Sequence, residues 1–98
     1  MTRRTVFLSP AAADDLEGVR AWYFQPGAGS VAKRRVQHIL KGIEALAEWP
    51  FIGASGPEPG SREHVVENHV VFYRVDPESG DVEIIRVWRP GQDRPLRR

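Results

Sequence analysis

The period of the hydrophobic positions changes along this chain, and the changes mark its elements. Thr5-Val6-Phe7-Leu8 is a β-prone run stopped by Ser9-Pro10, which predicts a short first strand. Ser9 suits a helix N-cap, with Pro10 at the first helical position, where a missing N–H costs nothing. Ala12, Leu16, Val19 and Tyr23 then recur on one helical face until Gln25-Pro26-Gly27 ends the helix. A second helix is predicted from about Ser30. Its apolar stripe is Ala32, Val36, Ile39, Ile43, Leu46 and Ala47, widened by Leu40, and Trp49-Pro50 closes it. Two amphipathic helices joined by a short Pro/Gly loop form a helical hairpin.

The remainder reads as β structure. The Gly- and Pro-rich segment from Ile52 to Ser61 is predicted to be a loop, followed by strands at Arg62–Val66, His69–Val75 and Val82–Trp88. Asp76-Pro77-Glu78-Ser79-Gly80-Asp81 is the turn between the last two. If that turn closes symmetrically, Val75 faces Val82, Arg74 faces Glu83 and Tyr73 faces Ile84. One face then carries Val71, Tyr73, Val75, Val82 and Ile84 and should meet the helices. The other carries Val70, Phe72, Arg74, Glu83, Ile85 and Val87, with Arg74–Glu83 as its charged pair. Arg86 and Trp88 fall on the core parity and are placed at the core's edge. The expected fold class is α+β, ordered β-α-α-β-β-β, with an antiparallel sheet packed against the two-helix hairpin.

Composition sets limits on this picture. Ninety-eight residues are one core's worth of chain, so a single domain over 1–98 is expected. Fourteen Lys and Arg against thirteen Asp and Glu leave a net charge of +1, which excludes a molecule that is basic overall. Local patches remain possible, because Lys33, Arg34, Arg35, His38 and Lys41 crowd the polar sides of the second helix. The absence of cysteine excludes disulfides, thiolate catalysis and Cys-based zinc sites. Three histidines with no H-E-x-x-H spacing suggest no metal site, and no cofactor is expected. Asp14 and Asp15 are adjacent and point in different directions on a helix, so they are taken as helix-dipole charges. No apolar run is long enough to span a membrane, and the few residues after Arg3-Arg4 are too short for a signal peptide. A cytoplasmic protein is expected.

Several segments together resemble one family. Leu8-Ser9-Pro10-Ala11 followed by Asp15-Leu16 is similar to the opening of ParE-type toxins. Ile43 and Leu46-Ala47-Glu48-Trp49-Pro50, then Gly53, resemble the end of their second helix. Arg62, Val66 and His69-Val70-Val71-Phe72-Tyr73-Arg74-Val75 resemble their third strand, and Val82–Val87 their fourth. From about Phe7 to Arg94 the chain thus resembles the ParE/RelE superfamily of bacterial toxins. The resemblance implies a type II toxin held silent by a cognate ParD-like antitoxin, in a hetero-oligomer without membrane involvement. ParE-like members inhibit DNA gyrase by binding; RelE-like members cleave mRNA on the ribosome. An inactive relative that only binds antitoxin is a third possibility.

A ribonuclease needs a base for the ribose 2′-OH, cations for the phosphate and an acid for the leaving oxygen. The candidates are Arg62, His64, His69, Arg74 and Arg89. A tight turn at Glu67-Asn68 would put His64 and His69 on one face, either as an acid/base pair or, with more weight, as structural histidines of the core. RelE-type enzymes carry an arginine near the position of Val70 and an aromatic or histidine acid after the last strand. Val70 is inert here, and Arg89-Pro90-Gly91-Gln92-Asp93 holds neither Tyr nor His. These departures favour ParE-type inhibition and no catalytic residues. From Arg86 onward five arginines face only Asp93, with Trp88 among them. That stretch is either a solubilising tail or a surface for an anionic partner. Phe72, Arg74, Ile85, Trp88, Arg89 and Arg94 are accordingly the candidate partner-binding residues, and an acidic antitoxin segment the expected occupant.

Overall fold

The computed structural model describes residues 4–91. β1 (Val6–Leu8) leads into α1 (Pro10–Tyr23) and α2 (Gly29–Glu44), and a 3-10 turn (Ala45–Ala47) follows α2. The chain continues through β2 (Ala54–Ser55), β3 (Ser61–Val66), β4 (His69–Val75) and β5 (Val82–Trp88). All five strands form one sheet in the order β1-β5-β4-β3-β2. The fold is α+β, with the helical hairpin on one face of the sheet.

Ser9 caps α1 as its position in the sequence predicts, its Oγ accepting the Ala12 N–H at 3.0 Å. The same hydroxyl donates to the Ile85 carbonyl at 2.8 Å, so the cap also ties the helix to the sheet. Ala12 and Val19 of α1 meet Ile39 and Ile43 of α2, together with Leu46, over Val71, Tyr73, Val82, Ile84 and Val87. Gly42 lets α2 approach β3 closely, since a Cβ there would stand 2.6 Å from Val66 Cγ2.

Two features of the sheet depart from the sequence expectation. β1 pairs with β5 in parallel, Val6 opposite Val82 and Leu8 opposite Ile84, so the sheet is mixed and not wholly antiparallel. The β2–β5 meander starts at the far edge and works back, and its last strand arrives beside β1 running the same way. The segment expected to be loop also contributes β2, with Ala54 opposite Glu63 and Ser55 opposite Arg62. Gly53 makes this approach possible: a Cβ there would lie 2.6 Å from the Glu63 carbonyl oxygen and 2.8 Å from the Tyr73 hydroxyl.

The β3–β4 hairpin closes at Glu67-Asn68, with Val66 opposite His69. Both turn residues have left-handed φ, 51° and 63°, as a two-residue hairpin turn of the favoured twist requires. Glu67 is an unusual residue there. Its conformation is held by His38 Nδ1, 2.7 Å from its Oε2, and by His69 Nδ1 donating to its carbonyl at 2.8 Å.

β4 and β5 pair in the predicted register from Val75↔Val82 to Tyr73↔Ile84, but the next pair is Phe72↔Arg86. Ile85 is thus an extra residue, a β-bulge, and every position after it changes face. This corrects the parity expectation at three places. Val87 is buried in the core opposite Val71, whereas Arg86 and Trp88 belong with Phe72 and Val70. The charged pair is corrected too: Arg74 lies opposite Glu83 but makes its ion pair with Glu58, at 2.9 Å.

Candidate partner interface

β1 ends at Leu8, and beyond it the edge of β5 is satisfied by α1. Ser9 N–H donates to the Ile84 carbonyl at 2.9 Å, and Asp15 Oδ2 accepts the Val87 N–H at 2.8 Å. Asp15 also receives Arg86 through Nε at 2.7 Å and Nη2 at 3.0 Å. The Asp15 side chain is 10% exposed and that of Arg86 34%. These hydrogen bonds hold the Arg86 guanidinium still more firmly protonated than usual. Asp15 is therefore an edge clamp on β5, not a helix-dipole charge.

Aromatic contacts extend the clamp. The Arg86 guanidinium lies 5.5 Å from the Trp88 ring centre, and Trp88 stacks on Phe72 with centroids 5.6 Å apart. Arg89 sits 5.0 Å over the ring of Trp22, from α1. The end of β5 is thus a rigid arginine–aromatic ridge fixed at both margins.

Of the candidate partner residues, Phe72, Trp88 and Arg89 come together on this ridge. Phe72 and Trp88 are each only 7% exposed, so they form its floor and not its contact layer. Ile85 is half-buried at the bulge, and Arg74 is exposed but engaged by Glu58. Arg94 lies outside the described residues.

The candidate nuclease residues are not brought into one cluster. His64 and His69 share the helix-covered face, as the tight turn predicts. His69 is fully buried against Tyr23, ring centroids 5.8 Å apart, and its Nε2 has no hydrogen-bond partner among the described residues. Partial burial of His64 lowers its pKa. Arg62 donates to the carbonyls of Phe51 at 3.2 Å and Gly53 at 2.7 Å, with its guanidinium 4.9 Å over the Phe51 ring. It pairs with Tyr73, whereas Arg89 follows Trp88, the partner of Val70. The two arginines are separated by about 13 Å along the strands and two strand spacings across.

Three further features were given no part in a site by the sequence. Trp22 is off the apolar stripe of α1 and 57% exposed, and an aromatic at that helical position was the available signal. Asp15 shows its role only once β5 is beside it. Trp49, Phe51 and Ile52 are 62, 60 and 59% exposed. Their loop is rigid because the Tyr73 hydroxyl donates to the Pro50 carbonyl at 2.7 Å and accepts the Gly53 N–H at 3.1 Å. Burial raises the pKa of that phenol. Among the described residues no group of His, Cys, Asp and Glu is arranged to hold a metal. No helix there is long and apolar enough to cross a membrane.

Residues 6–94 match the family model described as the ParE toxin of the type II toxin–antitoxin system parDE. Solved structures share the fold. A chain of the chromosomal ParDE system from P. aeruginosa superposes with a TM-score of 0.70 at 24% identity, covering 89% of this chain and 96% of that one. A chain of the RelBE2 toxin–antitoxin complex from Mycobacterium tuberculosis gives 0.67 at 21% identity, covering 90% and 99%. One from the intact E. coli RelBE complex gives 0.58 at 17%, covering 91% and 99%. No curated protein sequence matches the chain significantly.

Proposed function

This chain belongs to the ParE toxin family of type II toxin–antitoxin systems, and from that premise we propose that it inhibits DNA gyrase by binding, without catalytic turnover. The observation that carries this reading is the fate of the residues a nuclease would enlist. His69 is enclosed by the core, Arg62 is committed to two loop carbonyls, and Arg89 is stacked on Trp22 at the opposite end of the sheet. None of these placements gives a base, a cation and an acid converging on one phosphate.

The partner is an antitoxin with an acidic, amphipathic segment that covers the outer sheet face around Arg74 and Ile85, with the Phe72–Trp88 stack beneath it. A toxin so covered is silent until the antitoxin is lost. The test is growth arrest on expression, relief by a co-expressed neighbouring small reading frame, and gyrase supercoiling measured with purified toxin. Inhibited supercoiling without mRNA cleavage supports the proposal. Ribosome-dependent transcript cleavage, abolished by His64→Gln or His69→Gln in a folded protein, would replace it with the RelE-type activity. No arrest at all would mean an inactive antitoxin-binding relative.

A further inference from the structure

Between Glu17 and Glu44 the sequence contains no acidic residue, yet Arg20, Lys33, Arg34, Arg35 and Lys41 all fall there. Each is exposed. On α2 the buried stripe is Ala32, Val36, Ile39 and Ile43, which turns Arg34 and Lys41 directly away from the sheet. These two stand two turns apart, about 10.5 Å, flanked by Lys33, Arg35 and His38. The ion pairs formed by Asp15, Glu58 and Glu67 draw in none of Arg20, Lys33, Arg34 or Lys41.

Tertiary contacts place this basic surface at one end of the molecule. Tyr23 packs on His69, His38 bonds Glu67, and Trp22 carries Arg89, so the hairpin tip lies at the sheet end bearing the β3–β4 turn and the end of β5. Asp76, Glu78 and Asp81 occupy the β4–β5 turn at the other end of the same seven-residue strands, about 20 Å away. A net charge of +1 therefore conceals an uneven distribution, with Glu67 the acidic residue of the basic end and Arg4 a basic one beside the acidic turn.

We infer that the basic end, centred on Arg34 and Lys41 with Lys33 and Arg35 beside them, binds the phosphate backbone of duplex DNA without reading its sequence. Duplex DNA presents one negative charge per about 1.7 Å of axis, the dense, regular anion that an extended row of cations fits. The row has no large aromatic anchor at its centre, which disfavours an acidic protein segment as occupant. Residues 29–44 contain no Phe, Tyr or Trp on which an unpaired base could stack within the row, which disfavours single strands. DNA contact of this kind goes beyond gyrase inhibition and needs no gyrase to be tested.

Anisotropy of a labelled blunt duplex, titrated with the purified chain over a range of salt, is the measurement. Contact with four phosphates gives a log–log salt slope of about −4 and about 100-fold weaker binding at about 200 mM than at about 50 mM salt. Arg34→Gln with Lys41→Gln should remove about two units of that slope, and Lys33→Gln with Arg35→Gln should do the same. Arg4→Gln changes the net charge beside the acidic turn and should leave the slope as it was. Melting curves check that each variant folds, and the two pairs test the surface independently. Absence of salt-dependent binding, an equal loss in Arg4→Gln, or tighter binding to single-stranded RNA or polyglutamate than to duplex would each overturn the inference.

Discussion

Asp15 and Arg86 are 71 positions apart in sequence and meet in a two-pronged ion pair, in which the same Asp15 Oδ2 also accepts the Val87 N–H. One carboxylate thereby substitutes for the strand that β5 lacks beyond Leu8. It also sets the direction of Arg86, whose guanidinium in turn lies against Trp88. The helical hairpin and the ridge at the end of β5 are coupled through this one contact.

Asp15→Ala should therefore destabilise the fold by about 2–3 kcal/mol, because it strands a backbone N–H and leaves a half-buried guanidinium unpaired. Urea denaturation measures it. A change under about 0.5 kcal/mol, the range of ordinary surface substitutions, would show that the clamp is dispensable.

Tyr73→Phe keeps the packed ring but removes both hydroxyl contacts to the Pro50–Gly53 loop. A cost of about 1–3 kcal/mol is expected, with faster amide exchange at Gly53. Gly53→Ala should be worse, since its Cβ would meet the Glu63 carbonyl oxygen.

His64 gives a pH dependence of defined sign. Its pKa in the folded chain is lowered by burial from 6.5, so between the folded and unfolded values the unfolded chain binds more protons. Its contribution is complete above pH 6.5 and is lost as pH falls below it. His64→Gln should flatten the stability profile in that window. Glu67 and Asp76 act lower: hydrogen bonds from His38 and from the Glu78 N–H, respectively, depress their pKa values. Their contributions are lost only as pH falls below the ordinary carboxylate range. A profile unchanged by His64→Gln near pH 6 would refute the assignment.

Trp88 and Arg89 should separate cleanly in a melting experiment. Trp88→Ala removes a buried ring stacked on Phe72 and should cost about 3–4 kcal/mol. Arg89→Ala loses a stack on the exposed Trp22 and should cost under about 1 kcal/mol. A chain ending at Val87 would lose Trp88 and be destabilised, so Arg89→Ala is the variant in which a loss of the proposed gyrase inhibition would report on the target surface. Equal melting temperatures for the two single variants would contradict the burial of Trp88.

Local chemistry was legible in the sequence wherever a short-range rule sufficed. Ser9-Pro10 announced the cap, the Ala12–Tyr23 and Ala32–Ala47 stripes announced the buried faces, and β-branched runs bounded by turn residues marked β3, β4 and β5 to within a residue. The two-residue turn at Glu67-Asn68 and the register from Val75↔Val82 to Tyr73↔Ile84 also followed from alternation and turn geometry. The motifs between Phe7 and Arg94 were enough to indicate the toxin family. What depended on distant partners was not legible. Ile85 is an ordinary strand residue by type, and only the competition between pairing with β4 and docking on α1 makes it a bulge, after which Val87 turns inward and Trp88 outward. The direction of β1 and the existence of β2 follow from where the meander begins and ends, which no local pattern encodes. The ridge of Arg86, Trp88, Phe72, Arg89 and Trp22 exists because Asp15, bound to its place on α1 by the Ser9 cap, meets the one stretch of β5 that β1 leaves open.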